Sequence, residues 1–136
     1  MKKLVLSAII FVSSMFAASP ALDLLNAEYS AEVKKTNPLF KSFSAERGRQ
    51  IFFATQQDKN GQPINCATCH TDNLKNSGKN ATTGKIIEPL APSVNKIRLT
   101  DKAEIEKWLT RNFKQVYGRV GTAQEKGDVL AFIAQQ

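Results

Sequence analysis

An all-α domain is predicted by three observations in this chain of 136 residues. Four segments carry apolar residues at helical spacing behind recognisable caps. No stretch alternates apolar and polar residues as a half-buried strand does. The connecting stretches are polar and rich in Asn, Gly and Pro.

The helices follow in order. Residues 22–35 place Leu24, Leu25, Ala27, Ala31 and Val33 among charges, and Asn37-Pro38 terminates them, because the residue before proline is driven out of helical geometry. Ser44 is suited to cap a second helix, with Glu46 in its first turn favouring the dipole. On it Ala45, Gly48 and Phe52 fall on one face. Gln57 to Asn65 reads as a turn-rich loop, and Thr71 to Lys85 as a second polar loop. Pro89-Leu90-Ala91-Pro92 forces an extended, rigid stretch. A third helix begins near Thr100 or Asp101. A fourth begins at Thr122, where Thr122-Ala123-Gln124-Glu125 fits a capping box ahead of Val129, Phe132 and Ile133.

The N-terminus carries an export leader rather than a fifth helix. Met1-Lys2-Lys3 is a positive start, Leu4 to Phe16 an apolar run, and Ala17-Ala18-Ser19-Pro20-Ala21 a small-residue exit. The run is shorter than the ~20 residues of a spanning helix. Cutting after Ala21 makes residues 1–21 a signal peptide and 22–136 one domain, with a periplasmic location and no stable membrane anchor after cleavage.

The chemistry is concentrated in one pentapeptide, Cys66-Ala67-Thr68-Cys69-His70. C-x-x-C-H is the signature of covalent c-type haem attachment: the two thiols add to the haem vinyl groups, and the adjacent imidazole reaches the iron. A redox dithiol needs a βαβ setting that is missing, and structural zinc needs four Cys or His ligands where the chain past the leader offers three. Cofactor-binding Cys66 and Cys69 and metal-binding His70 therefore predict one haem c, which leaves no cysteine for a disulfide. The chain has one His, and its two Met residues, Met1 and Met15, lie in the leader. The usual second axial ligands, Met or His, are thus lacking, and the sixth position is left to an uncommon ligand, to water or to nothing.

The motif follows an early helix and precedes more than sixty residues, as in class I cytochromes c, whereas bundle-type cytochromes c-prime carry it near the C-terminus. Gly48 and Phe52 facing Phe132 also suit the helix crossing of that class. A class I cytochrome c-like fold with an extra N-terminal helix is expected. In the third helix Ile105, Trp108, Leu109 and Asn112 share a face, which places an amide on an apolar surface and Trp108 where it can pack on a porphyrin. Asn112 is one candidate iron ligand, or else a cap on a frayed helix. Asn95 and lysines such as Lys96 are rivals.

The 19 Lys and Arg exceed the 12 Asp and Glu to give +7, and without Lys2 and Lys3 the charge is +5. Two haem propionates bring it towards +3. This modest surplus suits an acidic redox partner or simple solubility, and the compartment argues against nucleic acid.

Gly84-Lys85-Ile86-Ile87-Glu88-Pro89-Leu90-Ala91-Pro92-Ser93, then Glu106-Lys107-Trp108-Leu109 leading to Arg111-Asn112, then Thr122 to Asp128, resembles the sphaeroides haem protein family of monohaem cytochromes c. The resemblance spans most of the mature chain and implies that the second axial ligand is Asn112. It also implies a redox-gated ligand switch, electron supply from a dihaem cytochrome c, and oxygen or nitric oxide chemistry. Relatives often carry a disulfide where this chain has Phe113 and Gly121, so packing must hold that loop. An amide oxygen is a hard, neutral, weak donor better matched to ferric than to ferrous iron. Reduction is therefore expected to release it and open a site for a diatomic ligand. The alternative function is a plain electron-transfer cytochrome c whose amide ligand only sets the potential. His70 is expected to donate its second ring nitrogen to a carbonyl, with Pro89 and Pro92 as candidates.

Overall fold

The computed structural model describes residues 19–136, so the leader expectation lies outside the described residues except for Ser19, Pro20 and Ala21. Its elements in chain order are α1 (Pro20–Thr36), α2 (Ala45–Phe53), β1 (Gln56–Gln57), β2 (Pro63–Ile64), α3 (Ala67–His70), β3 (Gly78–Lys79), β4 (Ile86–Ile87), α4 (Lys102–Tyr117) and α5 (Ala123–Ala134). The fold is all-α. Two minimal antiparallel ladders, Gln56↔Ile64 with Gln57↔Pro63 and Gly78↔Ile87 with Lys79↔Ile86, sit in the segments read as loops. Strands of two residues are too short to show a period of two in sequence.

The predicted caps form. Ser44 Oγ accepts from Arg47 N–H at 3.1 Å, Asp101 rather than Thr100 caps α4 by accepting from Glu104 N–H at 2.9 Å, and Thr122 and Glu125 close a reciprocal box. Helix α1 starts two residues earlier than the apolar pattern indicates, because Pro20 occupies its first turn, where a missing N–H costs nothing. Ser19 there is buried and its hydroxyl donates to Leu99 O, while Ala21 and Leu22 enter the core. A boundary after Ala21 leaves Leu22 as the first core residue of α1 in the mature chain.

Helix α2 crosses α5 at Gly48, where a β-carbon would stand 1.9 Å from Asp128 O and 2.9 Å from Phe132 Cβ. The expected crossing of Gly48 and Phe52 with Phe132 is therefore present, and the Phe52 and Phe132 rings lie 5.5 Å apart. Buried Asp128, which the sequence reading missed, joins the same crossing. Its carboxylate accepts from Ser44 N–H at 2.7 Å and from Arg47 Nε and Nη2 at 2.8 and 3.0 Å. Helix α1 packs on α5 and α4. Tyr29 OH donates to the Glu106 carboxylate, to which Lys126 Nζ also donates at 3.0 Å, so one carboxylate ties the three helices together.

The loop after α4 is held by packing. Gly118 turns the chain at φ 69°, and the Phe113 ring lies against Gly121 so closely that a β-carbon there would fall 2.8 Å from ring atoms. A buried ring is there seated on a residue without a side chain.

Candidate functional site

Helix α3 is a single turn, and its own hydrogen bonds do not suffice to hold it. Asn65 and Thr68 close it reciprocally: Thr68 N–H donates to Asn65 Oδ1 and Asn65 N–H to Thr68 Oγ1, both at 3.0 Å. Cys66 N–H donates to Phe52 O at 3.2 Å, which joins the turn to α2. From the other side the β3–β4 hairpin presses Gly78 onto it, where a β-carbon would stand 2.0 Å from Cys69 O and 3.0 Å from His70 Cα. The Cys-x-x-Cys-His turn is thus clamped between α2 and the hairpin.

A cavity of about 450 Å³ opens beside this turn. Cys66 and His70 stand on its α3 wall, and Trp108, Leu109, Asn112 and Phe113 on its α4 wall. The structure therefore brings four of the five predicted site residues to one space. The fifth, Cys69, lies off the cavity wall, and its Sγ accepts from Ala81 N–H at 3.4 Å. Helix α4 runs on to Tyr117, so Asn112 sits in the interior of the helix and not at a frayed end. Asn95 also lines the cavity, but its amide nitrogen donates to Pro89 O at 2.9 Å, whereas no described residue engages the Asn112 amide. Lys96 donates to Ser93 O at 2.9 Å and lies off the cavity wall. Trp108, 47 % exposed, is a wall residue rather than a core one; its Nε1–H donates to Glu104 at 3.1 Å between the cations of Lys107 and Arg111.

The electrostatics suit a covalently held haem. Burial, reinforced by Cys69, pushes the Cys66 thiol up to about 11, which keeps it neutral and unlike an activated redox thiolate. Burial, then the Arg98 cation, pulls His70 down to about 4, so its imidazole is neutral at physiological pH and has a lone pair for a metal. Among the described residues no group of three or more His, Cys, Asp or Glu side chains is disposed to hold a metal ion alone, which removes the zinc alternative. The Cys66 thiol and a neutral imidazole on a largely apolar cavity, with the Cys69 thiol in the same turn, fit one haem. The expected carbonyl partner of His70 is not formed: no described residue accepts from its ring. Pro89 O, one candidate, is filled instead by Asn95 Nδ2 and Arg98 Nε, each at 2.9 Å.

Comparison with known proteins agrees with this site. Residues 38–133 match a family described as a domain of unknown function, DUF1924. The chain is 47% identical to the cytochrome c-type protein SHP of Cereibacter sphaeroides over 92 residues, which cover 68% of this chain and 70% of that one. The structure of oxidized SHP, described as an oxygen binding cytochrome c, superposes with a TM-score of 0.74 at 40% identity, covering 88% of this chain and all of that one. A solution structure of Methylophilus methylotrophus cytochrome c'', concerned with haem-ligand detachment in that protein, gives 0.73 at 32% identity over 85% and 93% of the two chains. The cofactor is accordingly one covalently bound haem c. With its matched span, its all-α cytochrome fold and its Cys-x-x-Cys-His turn on one apolar cavity, the chain belongs to the DUF1924 family of SHP-like monohaem cytochromes c.

Proposed function

We propose that this chain is a periplasmic c-type cytochrome in which Asn112 is a redox-dependent distal ligand, and which binds a diatomic ligand, oxygen or nitric oxide, after reduction by a partner cytochrome. The observation that carries the reading is Asn112 itself: an amide in the interior of α4, on the cavity wall, without a described partner. Asn112 is half-buried, and its amide is free to coordinate or hydrogen-bond what occupies the cavity. The described relative SHP is an oxygen binding cytochrome c, which favours ligand binding over simple electron transfer.

When bound, the haem supplies an iron whose affinity for a sixth ligand changes with oxidation state. The chain's own groups do the rest. Cys66 and Cys69 would hold the group covalently, and His70, neutral through burial, would offer the iron a lone pair. The Asn112 carbonyl oxygen is a hard donor that would suit ferric iron and be held less well by ferrous iron. Its amide N–H is then free to donate a hydrogen bond to a guest in the cavity. Leu109 and Phe113 keep that side apolar and limit water. Among the described residues no helix is long and apolar enough to cross a membrane. The basic surplus suits an acidic donor, which we take to be a dihaem cytochrome c.

Asn112→Ala tests the reading. The ferric spectrum is expected to move from low towards high spin, and external ligands to bind faster, because the internal competitor is gone. If neither changes, the sixth ligand lies elsewhere, with Asn95 the next residue to replace. A wild-type ferrous form that is low-spin and unreactive to carbon monoxide would instead favour a plain electron shuttle.

A further inference from the structure

The outer face of α4 carries charge to which the fold gives no partner. Lys107, Arg111 and Lys114 fall at i, i+4 and i+7, all exposed and all off the cavity wall. Glu104, on the same side of the helix, accepts from Lys107 and balances it. The ion pairs among the described residues leave Arg111 and Lys114 out. Lys114 complements the helix dipole in the last turn, but Arg111 lies a turn further in, where that effect has faded. Trp108 joins this face to the cavity. It stands on the cavity wall, yet its Nε1–H donates to the exposed Glu104 at 3.1 Å. Lys107 Nζ and Arg111 Cζ lie 5.4 and 5.3 Å from its ring centroid, within reach of the attraction between a cation and an aromatic face. The indole therefore reaches from the charged outer face of α4 to the space that a haem would fill.

These features select one class of partner. Cations without counter-charges attract an acidic surface and steer its approach. Trp and Arg are the side chains that most often anchor a protein interface. Electron transfer falls steeply with distance, and at this face a single indole ring separates a docked donor from the cavity. A lipid surface fits less well. An interfacial helix buries its apolar face in the membrane, whereas the apolar face of α4, with Ile105, Leu109, Phe113 and Val116, is buried in the protein.

We infer that the outer face of α4, with Trp108 at its edge and Lys107, Arg111 and Lys114 along it, is where an acidic one-electron redox protein docks to reduce the haem. The inference rests on the reading that a protein partner supplies the electron. One electron passes from the reduced donor to the ferric iron, so the donor is oxidised by one electron and the iron becomes ferrous. No bond forms or breaks at the docking face itself.

The test follows reduction of the ferric holoprotein by two donors. Fully reduced flavodoxin, an acidic one-electron protein, is mixed by stopped flow, and lumiflavin semiquinone, small and uncharged, is generated by flash photolysis. Arg111→Glu with Lys114→Glu is expected to lower the flavodoxin rate constant about tenfold at low ionic strength and to leave the lumiflavin rate unchanged. The difference should vanish near ~1 M salt, where charges are screened beyond ~3 Å. Arg111→Gln with Lys114→Gln, gentler on the helix, should give a smaller loss of the same kind. Trp108→Leu keeps both cations and should lower the flavodoxin rate at low and high salt alike. Lys34→Glu with Lys41→Glu, an equal change of net charge on exposed residues in and after α1, should cost much less. Equal losses in the two charge reversals would overturn the inference. So would wild-type flavodoxin rates in both the Gln pair and Trp108→Leu. Phosphatidylglycerol vesicles that bind the wild type but not the Arg111→Glu, Lys114→Glu protein, with flavodoxin rates unaltered, would give the face to a lipid surface and overturn it too. A salt-independent flavodoxin rate in the wild type would instead overturn the underlying reading that an acidic protein is the donor.

Discussion

Gly48→Ala is expected to destabilise the holoprotein by about 3 kcal/mol, although alanine is the better helix former. Without a tertiary obstacle the change would stabilise α2 by up to about 1 kcal/mol, through helix propensity and a less flexible unfolded chain. The obstacle is backbone. A methyl group at residue 48 would lie 1.9 Å from Asp128 O, 2.5 Å from Asp128 C and 2.9 Å from Phe132 Cβ, well short of the ~3.5 Å at which such atoms rest. Neither helix can turn a backbone atom aside, so α5 must withdraw by more than an ångström. Withdrawal parts the Phe52 and Phe132 rings, now 5.5 Å apart, and stretches the bonds from Ser44 and Arg47 to Asp128, now 2.7 to 3.0 Å. Overpacking of this kind costs about 1–3 kcal/mol, and weakening the pairing of a buried carboxylate adds to it. Guanidinium unfolding of the ferric holoprotein, followed by far-ultraviolet circular dichroism and by the haem band, measures the difference. The sign decides: a variant as stable as the wild type, or more so, would show that the two helices do not meet at this residue.

Two further outcomes follow from the capping box and from the chain's first described residues. Arg119 first, then the Thr122 backbone N–H, hold the Glu125 carboxyl down to about 2, below the usual carboxylate range. Its stabilisation is therefore complete above about 4.5 and is lost as pH falls towards 2. Glu125→Gln should cost about 1 kcal/mol at neutral pH, after allowance for solvent screening, and nothing near pH 2 in urea unfolding across that range. Cleavage after Ala21 gives a mature protein whose intact mass begins at Leu22; a mass that includes Ser19, which is buried and bonded to Leu99 O, would move the boundary towards the N-terminus.

What the sequence made legible was chemistry confined to a few neighbouring residues. The Cys66–His70 motif, the caps at Ser44, Asp101 and Thr122, and the shared face of Trp108 and Asn112 all depend on spacing within one or two turns. Groups that meet across long separations were not legible. Asp128 follows Lys126 and Gly127 and reads as surface charge until α2 is laid against it; its only hint was the neighbouring Gly127, pressed on the Phe43 ring. Glu106 looks like one more helix carboxylate, yet it is reached by Tyr29 from 77 positions away. Pro89 and Pro92 are both candidate partners of His70 in the sequence, but Asn95 and Arg98, six and nine residues on from Pro89, are the donors that fold onto its carbonyl.

The same contacts constrain how Asn112 can move. Helix α4 is anchored along its length: Asp101 caps its start, Tyr29 and Lys126 hold Glu106, and Phe113 is seated on Gly121. Tyr117 OH, at its end, donates to Ile51 O at 2.6 Å. Sliding or tilting the helix would break several of these bonds together, at about 1 kcal/mol or more each. Rotating the two side-chain torsions of Asn112 breaks none of them and crosses only ordinary rotamer barriers. On the proposed function, release of the amide is therefore a side-chain event on a fixed backbone. The ring of Phe113, seated on Gly121, anchors the residue next to Asn112. Gly121→Ala, which crowds that ring, should disturb ligand release only in so far as it unseats α4.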